Sequence, residues 1–120
     1  MNIEGKGKKL KIIIPEADKV YQRSLYEAIV FAAKKYTLAG TTVTKGFMGY
    51  GANGLADSSK AFDISHEPPI IIEIVDKQER IEDFSKVVAG LLEKADGAGI
   101  IYIEDVDIVA YRKHEKAKVY

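Results

Sequence analysis

The chain has no cysteine, which excludes disulfides and thiolate metal sites. It also has no net charge, with 18 Lys+Arg against 18 Asp+Glu. Non-specific nucleic-acid binding needs surplus positive charge along a phosphate backbone, so a nucleic-acid partner is not expected. No apolar run follows Met1 and no uninterrupted apolar stretch approaches the length of a membrane span. Membrane insertion is therefore not expected, and a cytoplasmic location is. Histidine occurs twice, at His66 and His114. A lone histidine beside one carboxylate (His66-Glu67) is a solvated loop residue rather than a metal site, which needs three or four ligands at definite spacing. Asn and Gln occur only twice each beside abundant Lys and Glu, a bias of thermophilic proteins.

What is present is enough for a folded domain. At 120 residues, 47% of them hydrophobic, the chain is expected to form one globular domain over 1–120, with a real core and no need of staples. The run K-K-L-K-I-I-I-P predicts a buried central strand over 8–15. A polar connection over 15–23 follows. Ser24 and Glu27 then fit a capping box, ahead of Leu25, Ala28, Ile29, Ala32, Ala33 and Tyr36 at helical spacing. That helix is expected to stop near Leu38, with Gly40 as its exit. Pro68-Pro69 introduces a third strand over 70–75. Asp76 with Glu79 is placed to cap a second helix, whose apolar face is Ile81, Phe84, Val88, Leu91 and Leu92. The segment 94–99 reads as a helix stop and tight turn. A fourth strand covers 100–103. Glu104-Asp105 interrupts it, and 106–111 continues as the same strand beyond a bulge or as a short extra strand. The tail over 113–120 is charged and expected to be loose.

The stretch 40–63 organises this plan. It opens G-T-T-V-T as a strand and dissolves into K-G-F-M-G-Y-G-A-N-G-L. Five of the ten glycines lie between Gly40 and Gly54. Glycine inside a strand pattern marks a bulge, or a place where a ligand or another backbone comes close. The polar run that follows, about 52–66, reads as a long mobile loop, and loops of about 12 residues or more inside compact domains are often functional. An ordinary hairpin with a loose tip is the plain alternative.

The element order is β-α-β-β-α-β with an extra C-terminal strand. This is an α+β, ferredoxin-like split β-α-β sandwich with both helices on one sheet face. The opposite face is expected to carry Val or Ile side chains and several tyrosines. That is too apolar for open water, so an oligomer is expected to cover it.

Few residues suggest chemistry. Ser58-Ser59 has no histidine at motif spacing. Glu104, Asp105 and Asp107 suit Mg²⁺ on paper, but alternating carboxylates on a strand edge more simply discourage edge pairing. No metal site is assigned. The glycine pairs say more: Gly49-Tyr50-Gly51 ends the second strand and Gly97-Ala98-Gly99 opens the fourth. Successive backbone N–H groups in such turns form anion-binding nests. The two turns can meet across a subunit boundary, where Arg112 or Lys113 adds a cation for a phosphate.

The segments G-T-T-V-T over 40–44, K-G-F-M-G-Y-G over 45–51, P-I-I-I-E-I-V-D over 69–76 and I-E-D-V over 103–106 resemble an uncharacterised family of PII-like proteins. More distantly the chain is similar to the PII nitrogen-regulatory signal transducers. The resemblance covers 8–112. It implies a homotrimer that binds an adenine nucleotide in clefts between subunits and uses the loop after the second strand to dock on a target protein, a membrane transporter or an enzyme. It implies no enzymatic activity. The nucleotide-binding residues it implies are Thr42, Gly49, Tyr50, Gly51, Val75, Gly97, Ala98, Gly99 and Arg112. The loop it implies for partner contact is Ala52, Asn53, Gly54 and Leu55. PII proteins follow the second glycine turn with a lysine, where this chain has Ile100. Of their R-x-R near the C-terminus this chain keeps Arg112 and has Ala110 for the other. Loss of two phosphate-directed cations favours AMP or ADP over ATP. A scaffold with no small ligand is the alternative function. An enzyme is not expected, because a base, a nucleophile and an oxyanion site do not assemble from these residues.

Overall fold

A computed structural model of the chain describes residues 3–49, 51 and 68–114. Its central strand, β1 (Gly5–Pro15), is hydrogen-bonded on both edges. Here Leu10, Ile12 and Ile14 point to the buried side and Lys9, Lys11 and Ile13 to the other, as a period of two requires. The strand starts three residues before the expected 8–15, because Gly5, Lys6 and Gly7 pair with the far half of the last strand.

The segment read as a plain polar connection contains a ribbon of β2 (Lys19–Val20) and β3 (Arg23–Ser24). Its two turn residues, Tyr21 and Gln22, have φ of 51° and 63°. A two-residue hairpin wants positive φ at both positions, which normally calls for Asn-Gly. Here bulky residues adopt it, so no turn signal was present in the composition. Val20 drops into the core and fixes the ribbon.

Helix α1 (Leu25–Lys35) follows directly. Ser24 is its N-cap residue, but its side chain makes no cap bond, so the expected capping box with Glu27 does not form. The Leu25 N–H donates instead to the Asp18 carbonyl at 2.9 Å. The helix ends at Lys35, ahead of the expected stop near Leu38, because Thr37 turns to φ 54°.

Strand β4 (Gly40–Lys45) lies at one sheet edge and pairs with β5 (Pro69–Asp76). Helix α2 (Gln78–Ala95) buries Ile81, Phe84 and Val88. It stops at Asp96, whose φ is 49°, with the Gly97 N–H donating to the Leu92 carbonyl at 2.9 Å. Strand β6 (Ile100–Ile108) completes the sheet, in the order β4-β5-β1-β6 with every pairing antiparallel.

The fold is therefore the expected α+β ferredoxin-like sandwich, with one correction at its end. Glu104 and Asp105 do not interrupt β6, which runs in constant register from Ile13↔Ile100 to Gly5↔Ile108 without a bulge. Residues 106–108 are its last three positions, and no extra C-terminal strand occurs among the described residues. The charges are tolerated because each faces a lysine across the ladder: Glu104 opposite Lys9, Asp105 opposite Lys8 and Asp107 opposite Lys6.

Between helices and sheet the core is Leu10, Ile12, Ile14, Leu25, Ile29, Ile70, Ile72, Ile74, Ile81, Phe84 and Val88. Each large apolar side chain buried there stabilises the fold by about 1.5–3 kcal/mol. Among the described residues one charged residue is buried with them. Asp76 is fully enclosed, and its carboxylate accepts from the Ala39 N–H (3.0 Å), the Lys77 N–H (2.6 Å) and Arg80 Nε (3.1 Å). It does not serve as the N-cap of α2, a position held by Lys77. Asp76→Ala would leave the Ala39 amide and Arg80 without their acceptor, and we expect a loss of about 1–3 kcal/mol. Urea unfolding of the two proteins checks this, read as a shift in midpoint at constant slope.

Candidate functional site

The sheet face away from the helices is left uncovered by the described residues. It carries the expected Val and Ile side chains, Ile13, Ile71, Val75, Ile100, Val106 and Ile108, but its centre is charged and Tyr102 stands there in place of several tyrosines. Lys9 Nζ lies 3.5 Å from Glu73 and 3.5 Å from Glu104, and Lys11 Nζ lies 3.6 Å from Glu73. Glu104 raises the Lys9 pKa from its ordinary value, with Glu73 assisting and desolvation opposing. Apolar groups flank that centre: Val106 and Ile108, opposite Gly7 and Gly5, lie toward one end, and Ile13 stands between Ile71 and Ile100 at the other. Tyr102, beside Lys11, is the tyrosine of this face among the strand residues.

Both glycine turns sit at the Ile13 end of the sheet. At the end of β4, the Gly46 N–H donates to the Pro69 carbonyl at 2.7 Å. A Cβ on Gly46 would lie 2.5 Å from the Pro69 ring, and one on Gly49 would lie 3.0 Å from it. The close approach anticipated for these glycines is thus made by a proline ring of β5. Phe47 and Met48, between them, are 92% and 52% exposed. Gly51 is exposed too. Tyr50 and the proposed contact residues Ala52, Asn53, Gly54 and Leu55 lie outside the described residues, as do His66 and the serine pair.

The second turn precedes β6. Gly99 has φ +147° and packs so closely on β1 that a Cβ would lie 2.4 Å from the Ile13 carbonyl oxygen. The Ala98 N–H donates to Asp18 Oδ2 at 3.0 Å. With the Gly97 N–H engaged by Leu92, two amides of this turn already have acceptors inside the chain.

The two turns are separated by β5 and β1, three strand spacings or about 14 Å. Arg112 lies elsewhere. Its neighbour Tyr111 donates from its amide to Glu4 at 3.3 Å and from its hydroxyl to the Ala39 carbonyl at 3.0 Å. Those contacts hold the chain at the opposite end of the sheet, some eight residues of β1 away, roughly 26 Å. Arg112 is exposed there. Thr42 is exposed midway along β4 opposite Glu73, and Val75 sits opposite both Gly40 and Lys9. A single chain therefore has Gly49, Gly51 and the 97–99 turn at one end of the sheet but about 14 Å apart, and leaves Arg112 at the other end.

Two features were missed in the sequence. Asp18 lies in the stretch read only as polar connection, and nothing local marks it as the acceptor for an amide 80 residues away. An open groove of about 670 Å³ also runs between α1 and β4, lined by Arg23, Tyr26, Val30, Phe31, Lys34 and Val43. Its signal was present, since Phe31 lies off the apolar stripe of α1.

The acidic residues of β6 make ion pairs: Glu104 with Lys9, Asp105 with Lys8, and Asp107 with Lys6 at 3.6 Å. Among the described residues no cluster suited to a metal ion occurs. No helix among them is long and apolar enough to cross a membrane.

The fold places the chain among PII-like structures. A PII-like protein from Thiomonas intermedia K12, solved with ADP and bicarbonate, superposes with TM-score 0.62 at 19% identity, over 89% of this chain and 95% of that one. The same protein with ADP, AMP and bicarbonate gives 0.58 at 20% identity over 84% and 86%. A putative PII-like signalling protein from Thermus thermophilus gives 0.55 at 20% identity over 91% and 94%. Residues 7–108 match the family DUF190, Uncharacterized ACR, COG1993, and the chain belongs to that family. A UPF0166 protein of Methanocaldococcus jannaschii is 36% identical over 92% of this chain and 98% of its own length. One from Aquifex aeolicus is 29% identical over 87% and 94%.

The Lys8 ammonium holds the Asp105 carboxyl below the usual carboxylate range, through a hydrogen bond and its charge. A depressed folded pKa means the pair supports the fold above the ordinary carboxylate pKa and ceases to as pH falls through the lowered value. Titration followed by carboxyl NMR should show Asp105 protonating later than a free aspartate on acidification, and Lys8→Met should return it to the ordinary range.

Proposed function

We propose that the chain is a PII-like regulatory protein that binds an adenine nucleotide, AMP or ADP in preference to ATP, in clefts between the subunits of a homotrimer. The loop after β4 contacts a protein target, such as a membrane transporter, and nucleotide binding alters that contact. It acts by binding rather than by catalysis. The observation that carries this reading is the fold shared with PII-like proteins solved with ADP or with ADP and AMP.

The chain's own geometry supports it. Gly49, Gly51 and the 97–99 turn sit at one end of the sheet and Arg112 at the other, so a cleft using all of them needs two chains. Thr42, Tyr50 and Val75 are assigned to the same cleft by resemblance. Both sheet edges, β4 and β6, are unpaired among the described residues, and unpaired edges are sites of association. A ligand acts as a switch only if it binds one loop state better than another.

The reading makes a direct demand on stability. AMP, ADP or ATP should raise the melting temperature, since a ligand at about 100 times its dissociation constant adds roughly 2.7 kcal/mol. Flat melting curves at millimolar nucleotide would remove the ligand from the proposal. Arg112→Ala should weaken binding of phosphorylated nucleotides by about 1.5–3 kcal/mol if it makes a charged hydrogen bond. Equal affinities by calorimetry would take Arg112 out of the site.

A second reading, a ligand-free scaffold, is favoured by one observation: the Ala98 amide already has an internal acceptor in Asp18. Exposed Phe47 and Met48 at the root of the loop suit docking in either case. Pull-down of partners with and without residues 52–66, in the presence and absence of nucleotide, separates the two readings.

A further inference from the structure

The carboxylate of Asp18 sits on the Ala98 amide, in a turn whose preceding amide, Gly97, is taken by the Leu92 carbonyl. Its Oδ2 accepts the Ala98 N–H at 3.0 Å and lies 3.0 Å from the point a Cβ on Gly97 would occupy. The absent side chain at Gly97 is therefore what admits the carboxylate. The neighbouring Leu25 Cδ2 would stand 3.3 Å from the same Cβ, so the position is closed on its other side by the first residue of α1. No lysine or arginine among the described residues forms an ion pair with Asp18, and the residue after the turn is Ile100, 55% exposed. The turn thus presents a negative group outside any ion pair among the described residues, on an amide that would otherwise attract a phosphate oxygen.

We propose that Asp18 is a specificity-determining residue that occupies the anion position of the 97–99 turn and discriminates against nucleotides by the charge of their phosphate chain. This rests on the nucleotide reading above and deepens it. A phosphate entering the turn displaces the carboxylate from Ala98 and then stands beside it. Two unit charges about 4 Å apart repel by a factor of about five in binding even in bulk water, and by more where water is excluded. The discrimination therefore grows with phosphate charge, and adenosine does not feel it.

The test is calorimetric titration of wild type and Asp18→Asn with adenosine, AMP, ADP and ATP. Asparagine keeps an oxygen to accept the Ala98 N–H and removes only the charge. Asp18→Ser serves as a second neutral variant should the first fold poorly. ATP is expected to bind the neutral variants at least about fivefold tighter than wild type, with ADP and AMP gaining progressively less and adenosine changing less than about twofold. A gain that is the same for adenosine and ATP, or no gain for any of them, overturns the assignment and leaves Asp18 as a structural tie. Absence of binding by all four ligands to every variant overturns the nucleotide reading as well, which the first two outcomes would not do.

Discussion

A buried carboxylate in an apolar core is tolerated only when its charge is met by donors. Asp76 satisfies that condition with three donors on two pieces of chain: the Ala39 amide before β4, and the Lys77 amide and Arg80 in the first turn of α2. Arg80 extends the network, donating from Nη2 to the Tyr36 and Thr37 carbonyls at 2.7 and 2.9 Å. Those carbonyls belong to the end of α1, where a cation is favoured by the exposed C-terminal dipole. The end of one helix, the start of the other, and the strands beside them are thereby locked at a single corner. The Thr37 φ of 54°, costly for a β-branched residue, is held there by the same guanidinium.

That corner decides where everything else can be. With the entry to β4 fixed at Ala39, register against β5 runs from Gly40↔Val75 to Lys45↔Ile70, which delivers the glycine-rich exit of β4 onto Pro69. At the same corner Tyr111 reaches the Ala39 carbonyl, which carries Arg112 to the far end of the sheet from the glycine turns. The separation of cation and glycines within one chain is thus a consequence of how the core is tied. It is the physical reason an inter-subunit cleft is the natural form of the proposed site.

Much of this was legible in periodicity. The short β-branched run I-I-I-E-I-V after Pro68-Pro69 and the stripe Ile81, Phe84, Val88 translate directly into a strand and a helix, because a short apolar run and a helical stripe each encode burial. The pairing of two helices with an antiparallel sheet followed from element order. What escaped was whatever depends on distant partners. Tyr21-Gln22 carries no turn chemistry, and its ribbon exists because Val20 finds the core. Glu104-Asp105 reads as a break until Lys8 and Lys9 are seen opposite. Ser24 and Glu27 have the spacing of a capping box, but the Asp18 carbonyl reaches the first helical amide instead. The role of Asp18 and the Ala39 contact of Asp76 are invisible locally, since those carboxylates serve amides 80 and 37 residues away.

The same accounting of amides bears on what the glycines are for. Paired glycines suggest a cradle for a ligand, yet four glycines of these turns have an internal reason to lack a side chain. Gly46 and Gly49 clear the Pro69 ring, Gly99 clears the Ile13 carbonyl, and Gly97 clears the Asp18 carboxylate. Three of these approaches are to groups that cannot leave, a ring in a strand and a backbone oxygen. The fourth is to the end of a side chain, which can rotate away. A hydrogen bond to a charged acceptor is worth about 1.5–3 kcal/mol net, a barrier that an incoming phosphate offsets by supplying an equivalent acceptor to Ala98. Exchange at Gly97-Ala98 is therefore energetically open in a way that the other glycine positions are not, and the balance is set by the charges on the two competing anions.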